Sequence, residues 1–282
     1  LSFFKNQKEE STDKSIRRFG IIAGSGRFPL LFAQSAHKQG IEILAVAHKG
    51  QTTPELERYV DKIYWIKVGQ LGKLIKILKT EKIKDAAMVG GINKTLMFSN
   101  VAPDLHALSL LAKTRTLNDD VLLRSVSDEI EKEGITIHSS TLFLNELLSP
   151  AGCLTRRKPG KKETKDIEFG WKIAKEIGRL DIGQSIVVKN QVVLAIEAIE
   201  GTDEAILRAG KLGGGKGLII IKVSKPQQDM RFDIPAIGPK TIATMQEAGA
   251  TVLAIEKGKT LLIDKIELIR SANQANLSIV AL

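Results

Sequence analysis

The chain is poor in the groups that most readily mark a site. One cysteine, Cys153, stands among 282 residues, which excludes an intramolecular disulfide framework and leaves no second thiol for a zinc knuckle; a reducing cytoplasm fits that usage. The four histidines, His37, His48, His106 and His138, fall without ligand spacing, and there is no H-E-x-x-H. Neither G-x-x-x-x-G-K-[ST] nor G-x-S-x-G occurs, so a standard P-loop ATPase and a serine-hydrolase elbow are both excluded. Asp104-Leu105-His106 is an isolated D-x-H, lacking the companion motifs of a dinuclear phosphoesterase. Aromatic residues make up 5%, few for stacking on nucleic acid. No apolar run reaches the ~18–20 residues of a bilayer span, and the opening residues lack the apolar region of a signal peptide.

What is present is an ordinary globular composition, 43% apolar and 26% charged, at a length that suits two domains of roughly 100–200 residues. The net charge is +10. Much of it sits in one stretch, where Arg156, Arg157, Lys158, Lys161, Lys162 and Lys165 face Glu163 alone. Such a patch is either a solvated linker or a surface for fixed negative charge.

The polar residues 1–17 read as a flexible leader. From residue 18, apolar runs at 19–23, 41–47, 62–68, 85–90 and 135–138 alternate with helical spacing at 72–80, 104–113 and 119–132, and the glycine turn Gly24-Ser25-Gly26 opens another helix. A further helix is expected near 141–148. Strands that alternate with amphipathic helices imply a parallel sheet, because each parallel return needs a crossover. The expected fold is therefore α/β, with a Rossmann-like N-terminal parallel-sheet domain over 18–150 and a distinct C-terminal α/β domain over 151–282. The second domain is expected to hold a helix at 165–177, a hairpin turning around Asn190, a helix N-capped by Thr202, and alternating elements from 217 to 281.

Gly24-Ser25-Gly26-Arg27 sits where a phosphate cradle would, since glycines turn the backbone sharply and the next helix offers free N–H groups. Pro29 occupies the place of the third glycine of a dinucleotide fingerprint, and the second strand ends Val46-Ala47-His48 without an acid for the ribose. A nicotinamide-dependent dehydrogenase is accordingly disfavoured. Gly90-Gly91-Ile92-Asn93-Lys94 follows another strand of the same sheet, so both loops open on one edge. Asp119-Asp120, with Arg124 behind them, begin a helix; they complement its dipole or face the crevice. In the second half, Gln184 and Glu200-Gly201-Thr202-Asp203 flank strands, and Lys222 and Lys225 approach Arg231-Phe232-Asp233, a pairing of cations and acid that suits pyrophosphate with a divalent metal.

Taken in order, Ile22-Ala23-Gly24-Ser25-Gly26-Arg27-Phe28-Pro29, Asp119-Asp120-Val121-Leu122-Leu123-Arg124, Gly178-Arg179-Leu180-Asp181-Ile182-Gly183-Gln184, Glu200-Gly201-Thr202-Asp203 and Asp233-Ile234-Pro235-Ala236-Ile237-Gly238 resemble the LpxI family of UDP-2,3-diacylglucosamine pyrophosphatases. The resemblance runs from about residue 18 to residue 282. The family often has three consecutive glycines where this chain has Gly24-Ser25-Gly26.

The resemblance implies a metal-dependent hydrolase of lipid A biosynthesis that uses Mg²⁺ or Mn²⁺ to cleave UDP-2,3-diacylglucosamine to UMP and 2,3-diacylglucosamine 1-phosphate (lipid X). It implies a substrate held between the two domains and a homodimer supported by the second. The family's essential aspartate falls on Asp233, as metal ligand or as base toward the attacking water; Asp203 is a second metal candidate. The expected substrate-binding set is Gly24, Ser25, Gly26, Arg27, Gly90, Gly91, Asn93, Lys94, Asp119, Asp120, Arg124, Gln184, Glu200, Gly201, Thr202, Lys222 and Lys225. The basic stretch would dock the protein on the anionic cytoplasmic face of the inner membrane, and no nucleic-acid partner is expected. A non-catalytic or NAD-dependent Rossmann-type nucleotide-binding protein is the alternative.

Overall fold

Short apolar runs bounded by glycine or charged turns become the strands of the first of two units, Leu1–Leu144 and Asn145–Leu282. The computed structural model describes residues 17–91, 103–114, 119–229, 231–232 and 234–282, with the backbone alone for Leu111, Lys113, Thr114, Asp119 and Asp120. The leader expected at the start of the chain lies almost wholly outside the described residues.

In the first unit, β1 (Arg18–Ala23), β2 (Glu42–His48), β3 (Lys62–Ile66), β4 (Asp85–Val89) and β5 (Thr136–His138) form a parallel sheet in the order β3-β2-β1-β4-β5. After its first residue β1 is buried throughout, and so is β2, which is why both read as unbroken apolar runs: a parallel sheet is covered on both faces. Helices Phe28–Lys38, Leu71–Thr80, Leu105–Thr114 and Asp119–Glu131 lie between strands. Phe19, Phe32 and Phe143 meet with ring centroids 5.2–5.8 Å apart, spending three of the scarce aromatics on one core. The isolated D-x-H is structural: Asp104 accepts the amides of Gly72 (2.7 Å) and Ala107 (3.0 Å), capping two helices.

The helix expected near 141–148 is absent. The chain makes turns there, followed by a 3-10 turn at Asn145–Leu147. Ser139 Oγ accepts the Thr141 amide (3.2 Å), and the Phe143 carbonyl is taken by the distant Ser35 Oγ (2.5 Å), so one local and one remote hydroxyl outcompete helical bonding.

The second unit holds a six-stranded sheet of β6 (Gly152–Cys153), β7 (Ser185–Lys189), β8 (Val192–Ile196), β9 (Leu218–Lys222), β11 (Ala250–Ile255) and β13 (Ser278–Ala281), ordered β6-β13-β11-β9-β7-β8. The pairs β9–β11 and β11–β13 are parallel, while β6, β7 and β8 pair antiparallel with their neighbours. A separate parallel pair joins β10 (Ala236–Ile237) to β12 (Leu261–Leu262). One face packs Ile206, Ile242, Met245 and Leu268 on Val187, Ile220, Leu253 and Ile279. The other packs Ile167 and Ala174 on Ile186, Val188, Ile219 and Ile221.

The hairpin turns at Asn190 and Gln191, both left-handed (φ 50° and 58°). Neither is glycine, and the turn is held by buried Asp166, which accepts both amides at 2.9 and 2.7 Å. The helix expected to begin at residue 165 begins at Lys161 and runs to Arg179. Glu163 Oε2 accepts the Gly160 amide (2.8 Å), so the start is capped four residues earlier. Lys161, Lys162 and Lys165 are therefore helical, and that part of the basic stretch is no linker.

Candidate active site

In the order β3-β2-β1-β4-β5 the connections leave β1 and β4 in opposite directions, and a parallel sheet opens a crevice beyond the carboxyl ends at such a place. The loop after β1 carries Gly24, Ser25, Gly26 and Arg27, and the loop after β4 carries Gly90 and Gly91. They touch. Gly24 N donates to the Val89 carbonyl (2.8 Å), while Ser25 N and Ser25 Oγ both donate to the Gly91 carbonyl (2.6 and 2.9 Å). A methyl group on Gly24 would lie 2.3 Å from the Gly91 carbonyl oxygen, and one on Gly90 2.6 Å from that of Ser25. These two glycines let one loop close on the other, whereas Gly26 and Arg27 are exposed at the start of helix Phe28–Lys38. Asn93 and Lys94 lie outside the described residues. Asp119 and Asp120 are the first two residues of helix Asp119–Glu131, and Arg124 is exposed further along it.

His48, at the place of the dinucleotide fold's acid, is buried at 7% exposure and bonds through Nδ1 to the Ala23 carbonyl (3.0 Å), which Thr52 Oγ1 also approaches (2.7 Å). Burial pushes its pKa down, against a smaller upward effect of that carbonyl. A neutral imidazole tied to β1 offers a ribose no carboxylate, in keeping with the missing acid at this place in the sequence.

In the second unit, Lys222 ends β9 and is 5% exposed. Its register partner is Ser185, and Glu197 N bonds the Ser185 carbonyl (2.9 Å), so the three side chains meet on one side of the sheet. Lys222 Nζ donates to Thr202 Oγ1 (2.7 Å) and approaches Ser185 Oγ (3.5 Å), while Thr202 Oγ1 donates to Glu197 Oε1 (2.7 Å). Thr202 is thus the first helical residue rather than the expected N-cap. Gly201 holds that cap position with φ 86°, a conformation open to glycine, and frees the threonine hydroxyl for Lys222 and Glu197.

The other residues turn elsewhere. Lys225 pairs with Asp181 (2.5 Å), and Asp203 with Lys240 (2.8 Å). Glu200 accepts from Ala198 N (3.0 Å) and Arg208 (2.5 Å); its own backbone amide and then Arg208 hold its carboxyl below the usual range. Gln184 precedes β7, with its side-chain oxygen buried and meeting no donor among the described residues. Asp233 lies outside the described residues. Among those that are described, no group of three His, Cys, Asp or Glu side chains could hold a metal ion.

Two acids escaped the sequence reading. Glu197 stands in the apolar run Val192-Val193-Leu194-Ala195-Ile196 and its continuation; a charge in the second strand of a half-buried hairpin was the signal available. Glu256 accepts from Lys175 (2.5 Å), Lys259 (2.9 Å) and the Ser224 amide (3.0 Å). Burial pushes its carboxyl up, but these partners outweigh it and hold the pKa below the ordinary value. Lys259 is a near neighbour, but Lys175 and Ser224 lie 81 and 32 positions away, too far to be seen in advance.

Residues 18–147 match the LpxI N-terminal domain family, and residues 150–280 match the LpxI C-terminal domain family. A protein of Caulobacter vibrioides, UDP-2,3-diacylglucosamine pyrophosphatase LpxI, is 34% identical over 273 residues, covering 93% of this chain and 96% of that one. Solved structures offer slighter likenesses. The biotin carboxylase domain of Hydrogenobacter thermophilus 2-oxoglutarate carboxylase aligns at a TM-score of 0.27 and 13% identity, over 62% of this chain and 35% of its own. N5-carboxyaminoimidazole ribonucleotide synthetase from Thermotoga maritima does so at 0.27 and 14%, over 66% and 42%. This chain spans less than half of either, and no kinship follows from such values. With both family domains matched in their order and a relative aligned along nearly its whole length, the chain belongs to the LpxI family.

Proposed function

We propose that this protein hydrolyses the pyrophosphate bond of UDP-2,3-diacylglucosamine, giving UMP and 2,3-diacylglucosamine 1-phosphate, in lipid A biosynthesis. The carrying observation is the 34% identity over 93% of the chain to a pyrophosphatase of that name. The geometry accommodates the chemistry. A pyrophosphate diester resists water because its oxygens already carry charge, so a site must supply positive groups aimed at them. Buried Lys222 is one, and the exposed start of helix Phe28–Lys38 at Gly26 and Arg27 offers a second anion-facing place. Asp233 carries the essential carboxylate, and its replacement lowers the rate by at least ~10²–10⁴-fold, the usual cost of losing a general base.

The described residues assemble no metal-binding set, and a requirement for Mg²⁺ or Mn²⁺ is decided by experiment. UMP release from UDP-2,3-diacylglucosamine is measured with each metal and then with excess chelator, for wild type and Asp233→Asn. Release that depends on metal and is lost in the variant supports the reading. Folded wild type that releases no UMP with either metal refutes it.

We also propose that the protein docks peripherally on the anionic cytoplasmic face of the inner membrane. Arg157 is held by Glu163 (2.5 Å) and the Thr251 carbonyl (3.2 Å), leaving Arg156, Lys158, Lys161, Lys162 and Lys165 exposed. Lys161 and Lys162 stand in the first turn of a helix, where the dipole disfavours cations by about 0.3–1 kcal/mol each, so their place is not explained by stability. Each cation near an anionic leaflet gains ~1 kcal/mol. Vesicles rich in anionic lipid should sediment wild type and release a variant with these five residues changed to Gln; equal binding ends the proposal. The homodimer belongs to the same reading, and a monomer by light scattering at assay concentrations would remove it.

A further inference from the structure

Glu197 has a part that neither the fold nor the pyrophosphatase reading employs. The residue is 8% exposed; Oε1 takes the Thr202 proton, while Oε2 is inaccessible to solvent and meets no donor among the described residues. A buried acceptor left in that state is destabilising, more so when charged. A side chain serving stability alone would be better replaced by an apolar one of its size. The direction of the hydrogen bonds is also fixed. Thr202 has one proton, which goes to Glu197, so its oxygen accepts from the Lys222 ammonium at 2.7 Å. Carboxylate, hydroxyl and ammonium form one hydrogen-bonded chain at the carboxyl end of β9, with the hydroxyl in the first turn of helix Thr202–Leu212.

We propose that Lys222, Thr202 and Glu197 form a subsite for a phosphate ester that also bears a hydrogen-bond donor, with a phosphoryl oxygen against Lys222 Nζ and a ligand hydroxyl or N–H against Glu197 Oε2, which the ligand reaches only as the side chains covering that oxygen shift. Glu197 is then a positioning residue for Lys222 as well as an acceptor for the ligand. The cation alone would take any anion; the neighbouring carboxylate rejects an anion with no donor to offer it, because two negative groups would otherwise face each other in a buried place. The inference rests on the pyrophosphatase reading, whose substrate offers this chemistry on both sides of the scissile bond, at the nucleotide and at the sugar 1-phosphate.

Three probes separate the sources: UMP, glucosamine 1-phosphate and sulfate, an anion with no proton to donate at neutral pH, titrated calorimetrically into the full chain. One of the two esters should bind more tightly than sulfate. Glu197→Gln, which keeps size and the bond from Thr202, should weaken that ester about tenfold or more, the scale of a hydrogen bond to a charged group, and should not weaken sulfate. Lys222→Met should weaken all three. Thr202→Ser should bind as wild type and Thr202→Val as Glu197→Gln, a rescue that a purely structural role would not produce; this pair keeps the test decisive should Lys222→Met fail to fold. Binding of all probes by folded Glu197→Gln at wild-type strength overturns the proposal, as does wild type that binds none of them. If the probes bind in the expected pattern but no UMP is released from UDP-2,3-diacylglucosamine, the subsite stands and the pyrophosphatase reading falls. If UMP is released and Glu197→Gln alters neither kcat/KM nor probe binding, the reverse holds.

Discussion

Replacing Gly24 by alanine tests whether the first glycine loop exists to receive a ligand or to receive the second loop. The added methyl would sit 2.3 Å from the Gly91 carbonyl oxygen and 2.8 Å from the Gly90 carbonyl carbon. Both are backbone atoms, so no side chain can swing aside. Relief requires the loops to part, which breaks the two bonds from Ser25 to the Gly91 carbonyl. Overpacking costs ~1–3 kcal/mol and each lost hydrogen bond ~0.5–1.5 kcal/mol, so the variant should lose about 2–6 kcal/mol. At roughly 2–4 °C per kcal/mol, the transition of the first unit should fall by at least about 4 °C in scanning calorimetry. Gly91→Ala is the control. Its methyl meets Ser25 Oγ at 3.7 Å, an ordinary contact, and should change stability by no more than ~0.5 kcal/mol. Equal transitions for the two variants would refute the loop-on-loop reasoning.

Three further outcomes are expected. Asp166→Ala removes a buried carboxylate from two turn amides and should cost about 2–4 kcal/mol in urea unfolding, since bonds to a charged group are the strong kind; a loss below ~0.5 kcal/mol, the level of a neutral surface change, would show that the turn stands alone. Glu81 bonds to Lys62, to Tyr64 and to Arg18, in that order of effect, and these hold its pKa down at about 2 against an ordinary 4.5. Its stabilisation is therefore present above the unfolded pKa and is lost as pH falls through the folded one, so Glu81→Gln should flatten the fall in Tm between those pH values; an unchanged acid limb contradicts this. His48 is the opposite kind of group. Burial lowers its pKa below the ordinary 6.5, so the unfolded chain takes up the proton first and stability drops as pH falls below that value. His48→Asn should remove this part of the slope, and a Tm independent of pH from ~7.5 to ~5 in wild type would count against it.

Alternation of apolar runs with helical spacing was enough to read the parallel sheet of the first unit, because strands buried on both faces are written as continuous runs such as Ile43-Leu44-Ala45-Val46-Ala47. The hairpin around Asn190 was legible for a similar reason. Elements decided by side chains reaching across the fold were not. The segment 141–148 has helical spacing, yet Ser139 and Ser35 claim its backbone groups, and the second of these bonds spans 108 positions. In the site, Thr202 and Lys222 were visible as residue types, but their joint partner Glu197 was not, since the bond depends on register between β7, β8 and β9. Gly24 and Gly90 were legible as flexible loops, and their mutual contact was hidden in the strand order.

The position of β13 bears on how the second unit comes into being. β13 lies between β6 and β11, and it reaches back to its neighbour by bonds such as that from Ile279 N to Thr155 Oγ1, across 124 positions. Closing so wide a loop is slow, because its entropy is lost before the contacts form. Until β6 arrives, the outer side of β13, at Val280 and Ala281, is an unpaired apolar edge that a second unfinished chain can join. Refolding yield should therefore fall with protein concentration, and a chain cut before Ser278, which bares β11 in the same way, should aggregate rather than merely melt sooner.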